Sequence, residues 1–419
     1  MRQMADTSAR LNSTTYDVDA VRRDFPILSE KVYGKPLVFL DSGASAQKPR
    51  QVIDAMSDCM QREYSNVHRG AHYLSAATTD AHENARETVQ KFMNAAHPEE
   101  IIFTANVTMS INLVAHSYGR AFLKAGDEVI VSEMEHHANI VPWQMLCEAT
   151  GVVLKVAPIE DDGSFRIERF AELLTDRTRL VAITHCSNVL GTRVPAKEVI
   201  RLAHDAGAKV LIDGAQGIVH GPVDVQDLNA DFYAWTAHKL YGPSGLGILY
   251  GKLDLLNAMP PFLGGGEMID KVSFAGTTYA QAPHRFEAGT PAIVETIGIK
   301  AAVDYVTDIG HDAIQAHEQS LLDHATERLS AIDGVRLIGT AEGKAAIVSF
   351  LVDGHHPLDI ATILDRQGVA CRVGHHCAEP LMDRLGVIGT VRASFAMYNT
   401  LAEVDALADA IEKAKRMLS

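Results

Sequence analysis

Between about residues 100 and 250, short β-branched runs alternate with helical patterns: Glu100-Ile-Ile-Phe-Thr, Glu128-Val-Ile-Val, Val152-Val-Leu-Lys-Val, Leu180-Val-Ala-Ile-Thr, Lys209-Val-Leu-Ile-Asp and Gly247-Ile-Leu-Tyr. Apolar runs of this kind suit strands buried on both faces, and a helix between two of them is the usual crossover of a parallel sheet. The alternation therefore predicts an α/β fold with a largely parallel sheet covered on both sides. Such sheets bind ligands beyond the carboxyl ends of their strands, and His136, Asn188, Asp213 and the Thr236 to Lys239 group all follow a predicted strand there. Beyond roughly residue 296 the pattern changes to long helices and isolated strands, a smaller α+β domain. Its last helix opens on a Thr400/Glu403 capping box and continues with Val404, Leu407, Ile411, Ala414 and Leu418 at helical spacing.

Toward the other end, Asp17 caps a short helix that stops at Pro26, and Val38-Phe-Leu reads as a strand entering the small-residue loop Asp41-Ser-Gly-Ala-Ser-Ala. A chain of 419 residues usually divides into two domains. The expected division is a mobile leader at 1–16, an N-terminal segment at 17–34 packing with the small domain, a large domain at 35–295 and a small C-terminal domain at 296–419.

A net charge of −15 argues against a nucleic-acid surface, because phosphate binding needs a basic footprint. The polar start lacks the apolar region of a signal peptide, and no later stretch has the roughly 18 apolar residues of a membrane span, so the chain reads as cytoplasmic. The five cysteines form no CxxC pair and no disulfide-like framework, which suits a reducing compartment.

Lys239 ends the apolar run Asp231-Phe-Tyr-Ala-Trp-Thr-Ala-His-Lys just before a Gly/Pro turn. Desolvation at such an exit lowers an amine's pKa toward the range where it forms a Schiff base. Asp213 closes its strand and precedes Gly-Ala-Gln216; its carboxylate could pair with a protonated pyridine nitrogen and the Gln216 amide with a phenolic oxygen, or Asp213 could simply cap a helix. Thr108 opens a helix whose free N–H groups suit a phosphate, with Thr236 and His238 as further donors, and a plain helix cap is the alternative. His136, beside His137, could stack on a flat ring and shuttle protons, or be satisfied by local hydrogen bonds. Cys377 lies in Arg372-Val-Gly-His-His-Cys-Ala-Glu-Pro, where neighbouring histidines favour the thiolate; the other four cysteines look like buried small hydrophobes. Arg392 could fork onto a carboxylate or be an ordinary surface arginine. A metal-binding or sulfur-carrier protein using His375, His376, Cys377 and His136 is a rival reading, but neighbours on an extended loop point apart and no metal-ligand spacing supports it.

These residues carry a resemblance. Leu40 to Pro49, Met134 to Trp143, Ser187 to Thr192, Asp213 to Gln216, His238 to Pro243, Gly264 to Ile269, Arg285 to Pro291 and Arg372 to Met382, taken in order, resemble the group II, SufS-like cysteine desulfurases among the class V enzymes that use pyridoxal 5'-phosphate. The resemblance implies a fold-type I transferase whose large, cofactor-binding domain has a mostly parallel seven-stranded sheet. It implies that Lys239 holds the cofactor as a Schiff base, Asp213 and Gln216 contact its ring, His136 stacks on it, and Thr108, Thr236 and His238 surround its phosphate. Thr290 would reach the phosphate site of the opposite subunit of a homodimer. Asn188 and Arg392 would hold the carboxylate of L-cysteine, with Arg372 close by, and Cys377 would receive the sulfur and pass it to a SufE-like or SufU-like acceptor for iron–sulfur cluster assembly. No metal is implied. A selenocysteine lyase, or another class V lyase or aminotransferase, is the alternative within the enzymes, although an aminotransferase has no need of Cys377. Where the family usually reads Arg-Gly-Thr-Thr-Glu, this chain has Ala105-Asn-Val-Thr-Met109, and the lost glycine and hydroxyl predict a looser hold on the phosphate.

Overall fold

The computed structural model of the chain describes residues 16–418. The leader expected at 1–16 lies outside the described residues except for Tyr16, whose hydroxyl donates to the Met397 carbonyl and whose ring stacks on His317. Helix α1, Val18–Arg23, is capped by the Asp17 carboxylate, which accepts from Ala20 N at 2.9 Å. Strand β1 is Val38–Phe39, helix α2 Tyr73–Phe92, β2 Ile101–Thr104, and α3 Val107–Leu113. Then follow β3 (Glu128–Ser132), β4 (Val153–Ala157), β5 (Thr178–Thr184), β6 (Lys209–Asp213), β7 (Phe232–Thr236) and β8 (Gly247–Gly251).

Those seven strands from β2 to β8 form one sheet in the order β2-β8-β7-β6-β5-β3-β4. β4, β3, β5, β6 and β7 pair in parallel in that order across the sheet, whereas β8 runs antiparallel to both β7 and β2. Every residue of β2, β3, β7 and β8 is buried, as expected where helices cover both faces. β7 is the strand expected ahead of the Thr236 to Lys239 group. It lies beside β6, with Asp213 opposite Ala234, and so brings the Asp213 and Lys239 segments out at the same edge.

An exposed hairpin, β9 (Ile269–Ser273) and β10 (Gly276–Tyr279), precedes the long helix α4, Ile293–Ile309. α4 packs against α2 of the sheet-bearing half, and so ties the chain on both sides of the expected 295/296 division. Helix α5 (His311–Ser330), strands β11 (Val335–Ile338) and β12 (Ile347–Val352), β13 (Val369–Ala370), β14 (Arg372–Gly374), β15 (Thr390–Ser394) and α6 (Leu401–Leu418) complete the order used here. The second sheet is antiparallel, β11-β12-β15-β14, and β1 pairs in parallel with β13. The expected capping box of α6 is present: Thr400 N donates to the Glu403 carboxylate at 3.0 Å and Glu403 N to Thr400 Oγ1 at 3.2 Å. Among the described residues no helix is long and apolar enough to cross a membrane.

Gly247 shows how tightly the sheet edge is built. It stands opposite both Thr104 and Thr236, and a Cβ there would come within 2.3 Å of the Asn106 carbonyl carbon at the start of α3. Backbone cannot yield as a side-chain tip can, so Gly247→Ala is expected to displace the start of α3 and destabilise the protein by about 1–3 kcal/mol. Gly264→Ala, where an added Cβ meets nothing within 4 Å, is expected to be near neutral in the same chemical denaturation series.

Candidate active site

Eleven of the twelve site residues expected from the sequence line one cavity of about 210 Å³: Thr108, His136, Asn188, Asp213, Gln216, Thr236, His238, Lys239, Arg372, Cys377 and Arg392. The twelfth, Thr290, is exposed elsewhere, following Gly289, whose φ of +86° puts the chain in the left-handed region. The cavity opens at the carboxyl ends of β6 and β7 and is closed from the other side by residues of the second sheet and the Cys377 loop.

Lys239 ends a single 3-10 turn, Ala237–Lys239, directly after β7. Burial pushes its amine down to about 8, with the Asp213 carboxylate opposing that shift. Asp213 is 4% exposed, and burial raises its pKa above the ordinary carboxylate value, against Ala215 N, which donates to it at 3.0 Å, and Lys239. Two donors hold the lysine turn from behind: Lys48 Nζ donates to the His238 carbonyl at 3.1 Å and Ala46 N donates to the same carbonyl at 3.0 Å.

His136 makes the local hydrogen bond of one reading and keeps the cavity position that the other requires. Its Nδ1 accepts from Ala138 N at 3.0 Å, which leaves the proton of the neutral ring on Nε2, and the ring still lines the cavity. Burial, then Lys239, pushes it down to about 4, so the imidazole is neutral at pH 7 and is not the near-neutral proton shuttle expected from an unperturbed histidine. Glu135 beneath it is wholly buried and binds Ser132, Asn139 and Thr184 N, which fixes the turn that carries His136.

At the phosphate end, the helix starts one residue before the expected Thr108. Asn106 is its N-cap and its side chain accepts from Met109 N at 2.9 Å, leaving the amides of Val107 and Thr108 at the open end. Asn106 has φ −175°, an extended conformation open to any residue, so the backbone angle at this position does not itself require glycine. Thr236, also expected as a donor here, points its hydroxyl at the Leu246 carbonyl at 3.3 Å.

The Gln216 amide donates to Gly43 O at 2.7 Å, and Asn188 Nδ2 to His376 O at 2.8 Å. Cys377 is the exposed member of the five cysteines; burial raises the thiol pKa of Cys59, Cys147, Cys186 and Cys371, that of Cys186 to about 12. The histidine beside it does not act as the expected cationic neighbour. His376 is buried, its Nε2 engages Thr390 Oγ1 at 2.8 Å, and burial pushes it down to about 3. Gly43, Ala44, Thr184, Cys186, Ala215 and His376 also line the cavity and were not among the residues expected there, whereas Asn106 and Val107 belong to the helix start already expected at the phosphate end. For Gly43 and Ala44 the signal was the run of small residues after β1, which lets the loop lie against β15: Gly43 N donates to Ser394 Oγ at 2.7 Å.

A family model described as Aminotransferase class-V matches residues 38–407. The chain is 52% identical over 405 residues to a cysteine desulfurase of Pectobacterium atrosepticum, covering 96% of this chain and 99% of that protein. It is also 52% identical over 398 residues to one of Synechococcus elongatus, of whose length it spans 64%. Among solved structures, the cysteine desulfurase CsdA of Escherichia coli in an S-sulfonic acid form superposes with a TM-score of 0.90 at 41% identity, over 96% of this chain and 99% of that one. An apo cysteine desulfurase of Thermococcus onnurineus gives 0.90 at 37%, over 94% and 97%. The chain belongs to the class V aminotransferase family, in its cysteine desulfurase branch.

Proposed function

We propose that the protein is a pyridoxal 5'-phosphate-dependent cysteine desulfurase of the group II type, converting L-cysteine to L-alanine and loading the sulfur on Cys377. The observation that carries this reading is an exposed thiol in the wall of the same cavity as a desolvated lysine and a buried carboxylate. A transaminase needs the last two groups and not the first.

The residues present fit the cofactor. Among the described residues the Asp213 carboxylate has no side-chain partner and Lys239 Nζ has no hydrogen bond, while the open amides at α3 suit a phosphate. Asp213 would hold the pyridine nitrogen, Gln216 the phenolic oxygen, Thr108, Thr236 and His238 the phosphate, and neutral His136 the ring face. When bound, pyridoxal phosphate supplies an electron sink that acidifies the Cα–H of an amino acid. Lys239 Nζ, with a pKa near 8, can then take the Cα proton. Asn188 and Arg392, with Arg372 beside them, would orient the substrate carboxylate. Sγ of Cys377 attacks the substrate sulfur: an S–S bond forms, the Cβ–S bond breaks, and Cβ keeps the electron pair and is protonated. Cysteine and enzyme thiol thus become alanine and enzyme persulfide, with no outside oxidant.

Because the sulfur remains bound, turnover requires an acceptor, which we take to be a SufE-like or SufU-like protein serving iron–sulfur cluster assembly. A homodimer is supported by two surfaces left open in the single chain. Thr290 is exposed on a segment anchored by a buried Arg86–Glu287 fork at 2.7 and 2.9 Å, and the β9–β10 hairpin presents a fully exposed Phe274. In that assembly Thr290 would complete the partner's phosphate site.

Lys239→Ala, loaded with pyridoxal phosphate, is expected to lose the borohydride-reducible link to the protein and about a thousandfold or more in alanine formation. A variant that keeps the reducible link would contradict the assignment. Cys377→Ser is expected to retain the absorbance change on adding L-cysteine while alanine formation drops about 100-fold or more. Unchanged alanine output from this variant would remove the thiol from the mechanism.

A further inference from the structure

His137 opens a 3-10 turn, His137–Asn139, and stands next to the cavity-lining His136 without itself being part of the lining. Its amide and its ring face the loop that carries Cys377: His137 N donates to Cys377 O at 2.7 Å, and Nε2 accepts from Glu379 N at 2.9 Å. One residue of the sheet-bearing half thus holds the chain at the thiol residue and again two residues beyond it. The turn that carries His137 is fixed in its own right. The buried Glu135 carboxylate accepts from Ser132 Oγ, Thr184 N and Asn139 Nδ2, and the Asn139 oxygen accepts from Trp143 Nε1.

The Glu379 amide needs that acceptor. The first N–H groups of a helix have no partner within it, and Ala378, the N-cap of the helix Glu379–Leu385, has no side-chain acceptor to offer them. Leu381 N and Met382 N turn back to Ala378 O at 3.1 and 3.3 Å, Pro380 has no N–H, and Ala378 N reaches His375 O at 2.9 Å. That leaves Glu379 N, which His137 Nε2 caps from another segment. The rest of the helix is fixed separately: Leu381 and Met382 are buried in the core, and Arg384 donates to Ile159 O at 3.0 Å and to Asp161 at 2.9 Å. His137 therefore acts on the end nearest the thiol. His376 and Cys377 both have positive φ there, a conformation that side-chain-bearing residues adopt rarely and keep only while their surroundings enforce it.

We propose that His137 is a positioning residue for the thiol: its amide and its ring together set the backbone at Cys377, and with it where Sγ stands when the substrate sulfur arrives. The inference rests on the reading above, in which Cys377 receives that sulfur. Nε2 accepts only when it carries no proton, so the neutral ring has its proton on Nδ1. The Nε2 bond is exposed to solvent and adds little to the stability of the fold. Its effect falls on the geometry of attack, where a displacement of about 1 Å is costly. The adjacent histidines divide the work, His136 at the cofactor face and His137 at the thiol.

The test uses the holoenzyme in two variants: His137→Leu, which removes the acceptor and keeps the backbone amide, and His137→Gln, whose side-chain oxygen can take the place of Nε2. Two rates are read in a single turnover with L-cysteine: the change in cofactor absorbance, which reports chemistry at Lys239, and the formation of alanine, which needs the thiol. His137→Leu is expected to keep the absorbance change near the wild-type rate while alanine formation slows about threefold to tenfold, and His137→Gln to recover most of that loss. Alanine formed at the wild-type rate by His137→Leu would overturn the proposal. So would an equal slowing of both rates, which means that the ring only shapes the cofactor face, or a His137→Gln as slow as His137→Leu. If His137→Leu does not fold, His137→Asn, polar but too short to reach Glu379 N, carries the same comparison. Cys377→Ser in the same assay separates the underlying reading: unchanged alanine formation there removes the thiol from the reaction, whatever His137 does.

Discussion

Two neighbouring parallel strands that end at the same edge put Asp213 and Lys239 at one cavity mouth, and desolvation of these opposite charges is the constraint on which the site depends. Burial acts on both in the direction of neutrality, raising the carboxyl and lowering the amine to about 8. Their attraction offsets only part of that cost. The fold supplies the rest by fixing their positions: β6 and β7 lie in the buried centre of the sheet, and Lys48 holds the carbonyl before Lys239. An amine kept in this way can be neutral near physiological pH, and so can act as a nucleophile and a base.

The thiol is positioned by different means. His376 and Cys377 have φ of +55° and +57°, two successive side-chain-bearing residues in the left-handed region, each costing about 1–2 kcal/mol. Such a conformation persists only when its surroundings over-determine it. Here His137 N donates to Cys377 O at 2.7 Å, Asn188 to His376 O, and Glu379 N to His137 Nε2 at 2.9 Å. The Cys377 loop, carried by the second sheet, is thus clamped to segments that leave β3 and β5. The histidine pair before Cys377 has a structural part in this clamp, with His376 packed neutral against Thr390.

The sheet was legible where strands were β-branched and flanked by helices, as in Lys209-Val-Leu-Ile-Asp, because burial on both faces imposes an unbroken apolar run. β7 departs from that pattern, since Phe-Tyr-Ala-Trp-Thr is aromatic rather than β-branched, and it was legible only as the apolar run that ends before Lys239. The reversed direction of β8 was not legible, since a strand's sequence does not encode its sense. Within the site, residue types and the family resemblance pointed to side chains that do converge. What they could not give was the state of each group. Whether His136 is neutral, Asn106 extended or Asp41 wedged between two arginines depends on burial and on contacts between segments hundreds of residues apart, such as Asp41 and Arg392.

The central claim is that sulfur leaves L-cysteine for Cys377 in a cavity organised by Lys239 and Asp213. The most direct measurement is peptide mass spectrometry of the wild-type holoenzyme after one turnover with sulfur-labelled L-cysteine, with the released amino acid counted in parallel. The account predicts one labelled sulfur on the peptide bearing Cys377, matched by one alanine per active site. Label confined to the peptides of Cys186 or Cys371, or alanine formed with no sulfur on the protein, would contradict it.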